Sequence, residues 1–434
     1  MSKKQNKSSN SLTRRDFLGK ASAAAAVGAA VLAGHSAGAA NSANEKIGVG
    51  FIGTGGRGNN HLSMLNWMKQ QGDNVEIVAV CDIYKPRLEK AALTFNAKSY
   101  TDYRELLADK NVDVVCIATP EHHHAYQAID AIEAGKDIYC EKPVTHWDQF
   151  EITKKLADAA AASDCVFQLG TQAMSDSVWH QMKKLVQSGL IGQPVFGETS
   201  FFRLGDWGEV GMPIDDPNAK PGKDLNWEAF LGDRKKRPFS VDRFFRWRLF
   251  EDYGGGPVTD IYPHCLTQVI DILGVGFPES VVALGGIHRY ENELREVPDS
   301  FNLIAQYPEK VTISVLGTYA NGYNSMEGDR GSGARMPIIR GWDGTLTIHQ
   351  NKEIVFTPLR VQGAKKPQRI PIERAEDNVE HWRNLIECCR TRNKKTWSPM
   401  DLAFRTQTVL QMAMLGHKQA KTARFDSKDR RIIL

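Results

Sequence analysis

The chain has 434 residues, 41% of them hydrophobic and 24% charged, a globular composition long enough for two cored domains, which excludes disordered and collagen-like classes. Its 55 basic and 51 acidic residues give a net charge of +4. Six of the basic residues and one acidic residue fall within 1–39, so the remainder carries 49 against 50, a net charge of −1 that lacks the cationic footprint of a nucleic-acid binder. A small molecule is the expected ligand.

Residues 1–39 read as a twin-arginine signal peptide. Lys3, Lys4 and Lys7 lead into Thr13-Arg14-Arg15-Asp16-Phe17-Leu18, an apolar stretch covers 21–33, and Ala37-Gly38-Ala39 offers a cleavage site. That stretch is shorter than the helix of about 20 residues that crosses a bilayer, so no stable membrane anchor is expected. No cysteine lies near the cleavage point for lipid attachment. The expectation is delivery to the periplasm by the twin-arginine translocase, which carries folded proteins. A tightly held cofactor is one reason to fold first. Cysteines stand at 81, 116, 140, 165, 265, 388 and 389 with no C-x-x-C spacing, and the odd count favours buried free thiols over a disulfide framework.

From Lys46 short apolar runs alternate with amphipathic stretches. Residues 47–52, 75–80, 112–118 and 137–140 read as strands, 103–107, 124–134 and 147–161 as helices, and 165–169 as a closing strand. This alternation predicts a doubly wound parallel sheet. The first strand runs into Gly53-Thr54-Gly55-Gly56-Arg57-Gly58, a G-x-G-x-x-G loop, followed by a predicted helix over 59–68. In that context Gly53 allows the tight turn, Gly55 lets a pyrophosphate approach the backbone, and Gly58 permits close helix-to-strand packing. Thr54, Gly56 and Arg57 complete the loop as cofactor contacts. Asp82, 24 residues beyond Gly58, ends the second strand. There a carboxylate accepts ribose hydroxyls and repels a 2′-phosphate, favouring NAD over NADP. Lys85 and Arg87 oppose that preference, and a helix N-cap is the other reading of Asp82.

Beyond residue 170 the pattern changes. A helix is expected over 178–186, then strands over 195–202, 281–290, 301–307 and 311–316, the last alternating Val311, Ile313 and Val315 with Thr312, Ser314 and Leu316 as in a sheet with one covered face. Residues 205–224 are rich in Gly, Pro and Asp and form a long loop that either covers a cleft or decorates the surface. Residues 376–419 return to helical patterning. The expected domains are 45–170 for the dinucleotide, 171–375 as an α+β domain for substrate and oligomerisation, and 376–434 as C-terminal helices and tail packing on the body.

Thr119-Pro120-Glu121-His122-His123-His124, then Glu141-Lys142-Pro143, then Asp260-Ile261-Tyr262-Pro263-His264 stand in series behind the glycine loop. With these motifs the chain resembles the Gfo/Idh/MocA oxidoreductases, the sugar and inositol dehydrogenases related to glucose-fructose oxidoreductase, over nearly all of the mature sequence. The resemblance implies an N-terminal Rossmann domain and a C-terminal domain with a large, mostly antiparallel open sheet. It also implies an NAD(P)-dependent oxidoreductase, with Thr119, Pro120, His122, His124, Glu141 and Lys142 beside the cofactor.

On residue chemistry, Lys142 follows a strand at the carboxyl edge of the sheet, where an ammonium can hold a substrate hydroxyl or a developing alkoxide; a surface lysine beside a turn proline is the plainer reading. Asp260 and His264 are four apart, on one face of a helix beginning near Thr259. An imidazole there can take an alcohol proton while the carboxylate orients it; an N-cap and a packed histidine are the plainer account. The resemblance makes Lys142 catalytic or substrate-orienting, His264 the acid/base and Asp260 its partner. Three neighbouring histidines suggest a metal, but further ligands are not identifiable and none is expected.

Gly170-Thr171-Gln172 resembles a family segment in which arginines often follow. Ala173-Met174 stand there instead, so this segment offers no guanidinium to an anionic substrate, while Gln172 remains a sugar contact. Phe244-Phe245-Arg246-Trp247-Arg248 supplies Arg246 and Trp247 as a carbohydrate rim, or simply packs between domains. The expected activity is hydride transfer between NAD and a hydroxyl of a sugar, glycoside or polyol, with retained cofactor, in a homo-oligomer. A redox-assisted glycosidase is the nearest alternative, and a non-catalytic periplasmic sugar-binding protein the next.

Overall fold

A computed structural model describes residues 46–205, 212–291, 294–323, 337–361 and 363–434. The twin-arginine segment lies outside them, as do residues 206–211 of the Gly/Pro/Asp-rich loop. The first half alternates β1 (Ile47–Ile52), α1 (Gly56–Gln70), β2 (Val75–Cys81), α2 (Lys85–Phe95), β3 (Lys98–Tyr100), α3 (Tyr103–Leu107), β4 (Val114–Ile117), α4 (His124–Glu133), β5 (Asp137–Glu141), α5 (Phe150–Ala162) and β6 (Phe167–Gly170). All six strands are parallel, in the order β3-β2-β1-β4-β5-β6. Strand order therefore reverses between β1 and β4, and open α/β sheets bind ligands at the carboxyl ends beside such a point. Gly53, Thr119 and Lys142 all lie at these ends.

The expected helix after the glycine loop begins three residues early, at Gly56. The reason is contact: a Cβ on Gly58 would meet the Gly53 carbonyl oxygen at 1.9 Å, so only glycine lets the first helical turn lie this close to β1. Gly53 itself takes φ +90°.

The second half begins with α6 (Ser177–Gln187) and β7 (Pro194–Phe202), then four helical pieces, α7 (Trp227–Leu231), α8 (Val241–Phe245), α9 (Pro257–Asp260) and α10 (Pro263–Leu273). Strands follow: β8 (Ser280–Gly286), β9 (Ser300–Tyr307), β10 (Val311–Thr318), β11 (Ile338–Gly341), β12 (Gly344–His349), β13 (Glu353–Pro358) and β14 (Gln368–Pro371). Helices α11 (Asn378–Thr391) and α12 (Met400–Gln419) precede β15 (Ala423–Asp426) and β16 (Arg431–Ile433). These strands form one ten-stranded sheet, β14-β13-β12-β11-β7-β10-β9-β8-β15-β16, antiparallel except at β7 and β10. The fold class expected from the sequence is the one observed.

One face of this sheet is covered. Val311, Ile313 and Val315 join a core with Val269 and Ile270 of α10 and Val409 and Leu410 of α12, while Leu316 is 38% exposed. Helix α12 also serves the first domain, where its Met400, Ala403 and Phe404 pack with Leu156 and Phe167. All seven cysteines are buried, and none forms a disulfide among the described residues. No helix among the described residues is long and apolar enough to cross a membrane.

Candidate active site

A cleft of about 1640 Å³ opens at the carboxyl ends of the first sheet. Its walls include the glycine loop, Asp82, Thr119, Pro120, His124, Glu141 and Lys142. Asp82 follows β2, and its Oδ2 accepts from both the backbone N–H (2.8 Å) and hydroxyl (2.9 Å) of Thr54, locking the glycine loop to the second strand. Its Oδ1 accepts from the Tyr84 N–H at 2.9 Å. A Cβ on Gly56 would meet nothing within 4 Å, and one on Gly55 would meet only the Arg87 guanidinium, at 2.9 Å. The loop thus offers its backbone to open space, as a pyrophosphate requires, and the residues present fit a dinucleotide.

Beneath the loop, Glu141 is 4% exposed and gathers the neighbouring elements. Its Oε1 accepts from Arg57 Nε at 2.8 Å and Gln172 Nε2 at 2.9 Å. His61 Nε2 lies 2.7 Å from the same oxygen. Trp382 Nε1 donates to His61 Nδ1 at 3.0 Å, which makes Nε2 the protonated nitrogen of a neutral imidazole. Burial and Arg57 push the His61 pKa down, in keeping with that tautomer. Burial pushes the Glu141 carboxyl up, but Arg57 and His61 outweigh it and hold the group well below the usual carboxylate range. Glu141 therefore reaches the cofactor side mainly through the residues it fixes. Gln172, expected at the sugar, is instead buried under this hub, its amide nitrogen also donating to Tyr139 Oη at 2.7 Å.

The histidine run braces backbone. His122 and His123 both direct Nε2 to the Phe230 carbonyl, at 2.7 and 2.8 Å. His124 places Nδ1 2.7 Å from the Pro143 carbonyl and Nε2 2.8 Å from that of Thr119, joining the ends of β4 and β5. His122 is fully buried and does not line the cleft; His124 does.

Facing the cofactor edge, Lys142 Nζ donates to the Asp260 carbonyl at 2.5 Å and to Asp260 Oδ1 at 2.8 Å. Arg248 Nε lies 3.4 Å from the same Oδ1. On Oδ2, Tyr319 donates at 3.2 Å and Arg203 Nη2 lies at 3.7 Å. Burial alone would raise the Asp260 pKa, but Lys142, Arg248 and Arg203 together carry it well below the normal range.

The single helix expected over Asp260 and His264 is broken. Asp260 ends α9 and His264 lies in the first turn of α10. Pro263 has no N–H to continue the ladder and starts the new helix as its N1 residue. Asp260 consequently turns to Lys142 and the two arginines, while half-buried His264, expected as the acid/base, is not among the residues lining the cleft.

In the aromatic run, Trp247 lines the cleft as expected, but Arg246 does not. A turn of 3₁₀ helix at Trp247–Leu249 rotates Arg246 toward the Met212 carbonyl (3.2 Å) and Asp242 (3.4 Å), and brings Arg248 inward. Arg203 and Tyr319 were not singled out from sequence, Glu121 was quoted only as a position within its motif, and Arg248 only as part of an arginine-aromatic run suited to a carbohydrate rim. The 3₁₀ turn decides which arginine of that run enters.

The reversal-point sheet and the glycine loop define a dinucleotide-binding Rossmann half, with the ten-stranded sheet as the second half of the fold. Two family profiles match: "Oxidoreductase family, NAD-binding Rossmann fold" over residues 47–171 and "GFO/IDH/MocA C-terminal domain" over 229–347. The chain belongs to the Gfo/Idh/MocA family. Inositol 2-dehydrogenase of Salmonella paratyphi B is 34% identical over 161 residues, 34% of this chain and 43% of that protein. An uncharacterized oxidoreductase of Schizosaccharomyces pombe is 30% identical over 217 residues, 50% of this chain and 48% of that one. The matches thus span less than half the length of these curated relatives. Among solved structures, levoglucosan dehydrogenase in complex with NADH and levoglucosan superposes with a TM-score of 0.65 at 19% identity, covering 88% of this chain and 99% of the other. The WlbA dehydrogenase from Bordetella pertussis, in complex with NADH and UDP-GlcNAcA, gives 0.63 at 18%, covering 88% and 99%. At these identities the likeness is one of fold.

Proposed function

We propose that this chain is an exported dehydrogenase that oxidises a hydroxyl of a sugar, glycoside or polyol with a retained NAD. The observation that carries the reading is the Lys142–Asp260 pair at 2.8 Å, set at the carboxyl end of β5 beside the dinucleotide loop. When bound, the dinucleotide supplies the hydride acceptor. Lys142 holds the substrate hydroxyl and the alkoxide charge that develops on its oxygen. His264 takes the hydroxyl proton, and Asp260 orients Lys142 by accepting from its ammonium. Inositol 2-dehydrogenase among the relatives, and levoglucosan bound in a protein of the same fold, favour a polyhydroxylated substrate.

NAD rather than NADP is favoured by Asp82 and by the pairing of Arg87 with Asp215, 2.5 Å apart, which occupies the cation best placed for a 2′-phosphate. Retention is supported by the segment after residue 212. There Asn226 N donates to the Ile83 carbonyl (3.0 Å), Lys85 N to the Asp224 carbonyl (2.9 Å), and Leu225 bridges Tyr84, strapping the second domain over the cofactor edge. Exposed Val282, Leu284, Ile304 and Leu316 share the open face of the ten-stranded sheet and favour a homo-oligomer.

Denaturing the purified protein and identifying the released small molecules tests retention, and a panel of sugars and polyols with reduction of the bound NAD followed by absorbance tests the activity. Recovery of NAD with reduction by at least one sugar is the expected result; absence of any dinucleotide would remove the retained-cofactor reading. Export is tested separately by replacing Arg14 and Arg15 with lysine, which should leave the protein in the cytoplasm.

A further inference from the structure

Behind the Lys142–Asp260 pair lies a second polar contact between the two halves of the fold. Glu121 opens the 3₁₀ turn Glu121–His123 that follows β4, and it is 1% exposed. Its Oε1 accepts from the Thr259 hydroxyl at 2.9 Å. Thr259, fully buried in α9, in turn accepts from the Gly255 N–H at 2.8 Å, which ties it to the residues that start the helix ending at Asp260. Packing is tight there: a Cβ on Gly255 would meet Thr259 Cγ2 at 2.8 Å, and one on Gly256 the Pro298 carbonyl oxygen at 2.4 Å. Asp260 then accepts from the Lys142 ammonium with its carbonyl and with Oδ1. Because β4 and β5 are paired neighbours, these contacts close a circuit, leaving β4 through Glu121 and Thr259 and returning to β5 through Asp260 and Lys142.

Neither Glu121 nor Thr259 lines the cleft, so any effect they have on a ligand passes through the residues they hold. Helix α9 is only four residues long, a length at which tertiary contacts rather than the helix's own hydrogen bonds set its position. The charge of Glu121 bears on the same circuit. Burial, opposed by Arg248, the Thr259 hydrogen bond and Lys142 and helped by Asp260, pushes its carboxyl up to about 8, and its Oε2 has no hydrogen-bond partner among the described residues. Near neutrality the acid is mainly uncharged and leaves Lys142 and Arg248 to Asp260. Ionised, it is a second buried carboxylate that attracts the same two cations and repels Asp260.

Resting on the dehydrogenase reading of this cleft, we propose that Glu121 is a positioning residue of the redox site: through the Thr259 hydroxyl it sets α9, and with it the Asp260 oxygens that aim the Lys142 ammonium at the substrate hydroxyl. The step that depends on Glu121 is hydride transfer, not the binding of substrate or dinucleotide.

The test uses the full NAD-loaded protein with a sugar or polyol that reduces its bound cofactor. A displacement of about 1 Å costs about 10²-fold in rate, so Glu121→Ala and Thr259→Val should each lower kcat by about 10- to 100-fold, with KM within about threefold and NAD content equal to the parent's. The double variant should lose little more than either single one, because both break the same link. Falls that multiply, or full kcat in Glu121→Ala, would overturn the proposal and leave the dehydrogenase reading standing. Glu121→Gln keeps an oxygen for Thr259 and stays neutral, so it should recover most of the kcat lost in the alanine variant. The ratio of parent kcat to Glu121→Gln kcat should fall as pH rises through about 8; a constant ratio counts against the proposal. If no sugar or polyol is oxidised, the dehydrogenase reading fails and labelling of Lys142 by trinitrobenzenesulfonate, followed by peptide mass spectrometry, decides the contact alone. An ammonium loosened from its counter-charge loses its proton more readily, so labelling at least about threefold faster in Glu121→Ala and Thr259→Val than in the parent supports the proposal, and equal rates overturn it.

Discussion

Two buried carboxylates, Glu141 and Asp260, organise this molecule in opposite ways. Glu141 is closed: Arg57, His61 and Gln172 surround it, each within 3 Å, and Trp382 completes the tautomer of His61. Asp260 is more open: Lys142, Arg203, Arg248 and Tyr319 reach it from separate parts of the chain, and two of them, Lys142 and Arg248, also line the cleft. A closed network holds a backbone in place, whereas one that borders the cleft can pass its donors to a ligand. The dinucleotide half rests on the first kind and the substrate half on the second.

The sharpest way to break the closed network is Glu141→Ala, which leaves the buried His61 and Gln172 donors without their acceptor and the partly exposed Arg57 without its counter-charge. A buried donor left unsatisfied costs about 1–3 kcal/mol, so the variant should melt well below the parent and release its NAD; an unchanged melting temperature would contradict the hub. In the open network, Lys142→Ala should lower substrate-dependent NADH formation by about 10²–10³-fold, the loss typical of a donor to a developing oxyanion. The dinucleotide content of the variant should match the parent, since its cofactor half is intact. Full activity would refute the assignment of Lys142.

Glu121 provides a pH test of the same side. Its carboxyl moves from 4.5 to about 8 on folding, so the native state holds a proton that the unfolded chain releases. That contribution is complete below pH 4.5 and is lost as pH rises through 8, with a slope of up to about 1.4 kcal/mol per pH unit. Glu121→Gln stays neutral and should lose this slope in melting curves taken from pH 5 to 8.5; parallel curves for the two proteins would sink the idea. The smallest effect is expected from Asp215→Ala. Its partly exposed pair with Arg87 is worth about 0.2–1 kcal/mol, so NAD release should quicken by roughly a few-fold in a stopped-flow displacement assay.

Legibility in the sequence follows the same division. The cofactor half is local: the glycine loop, Asp82 and the E-K-P turn each sit at the end of a strand whose apolar run is readable, and β1 spans Ile47–Ile52 as expected. Elements without such a run were not visible. β3 is three residues with two exposed, and β11 and β14 are four residues each with at most one buried. At the site, Lys142 and Asp260 were both identified, but their direct contact was not, because it joins residues 118 positions apart. Gln172 was placed at the substrate through its resemblance to a family segment, and Arg246 on chemistry alone. Each found a nearer partner, Glu141 for one and Met212 and Asp242 for the other.

Trp382 lies flat against Tyr139, ring centroids 4.3 Å apart and planes 8° from parallel, while donating to His61. A chain emerging from the ribosome therefore presents its dinucleotide motif some 320 residues before the side chain that sets the motif's supporting imidazole. Until α11 docks, one side of the first sheet lacks Trp382, Leu385 and Ile386 from its core. Competence to hold a cofactor is thus a property of the finished polypeptide, acquired after synthesis of nearly the whole chain, and a nascent first domain would wait for its last helices.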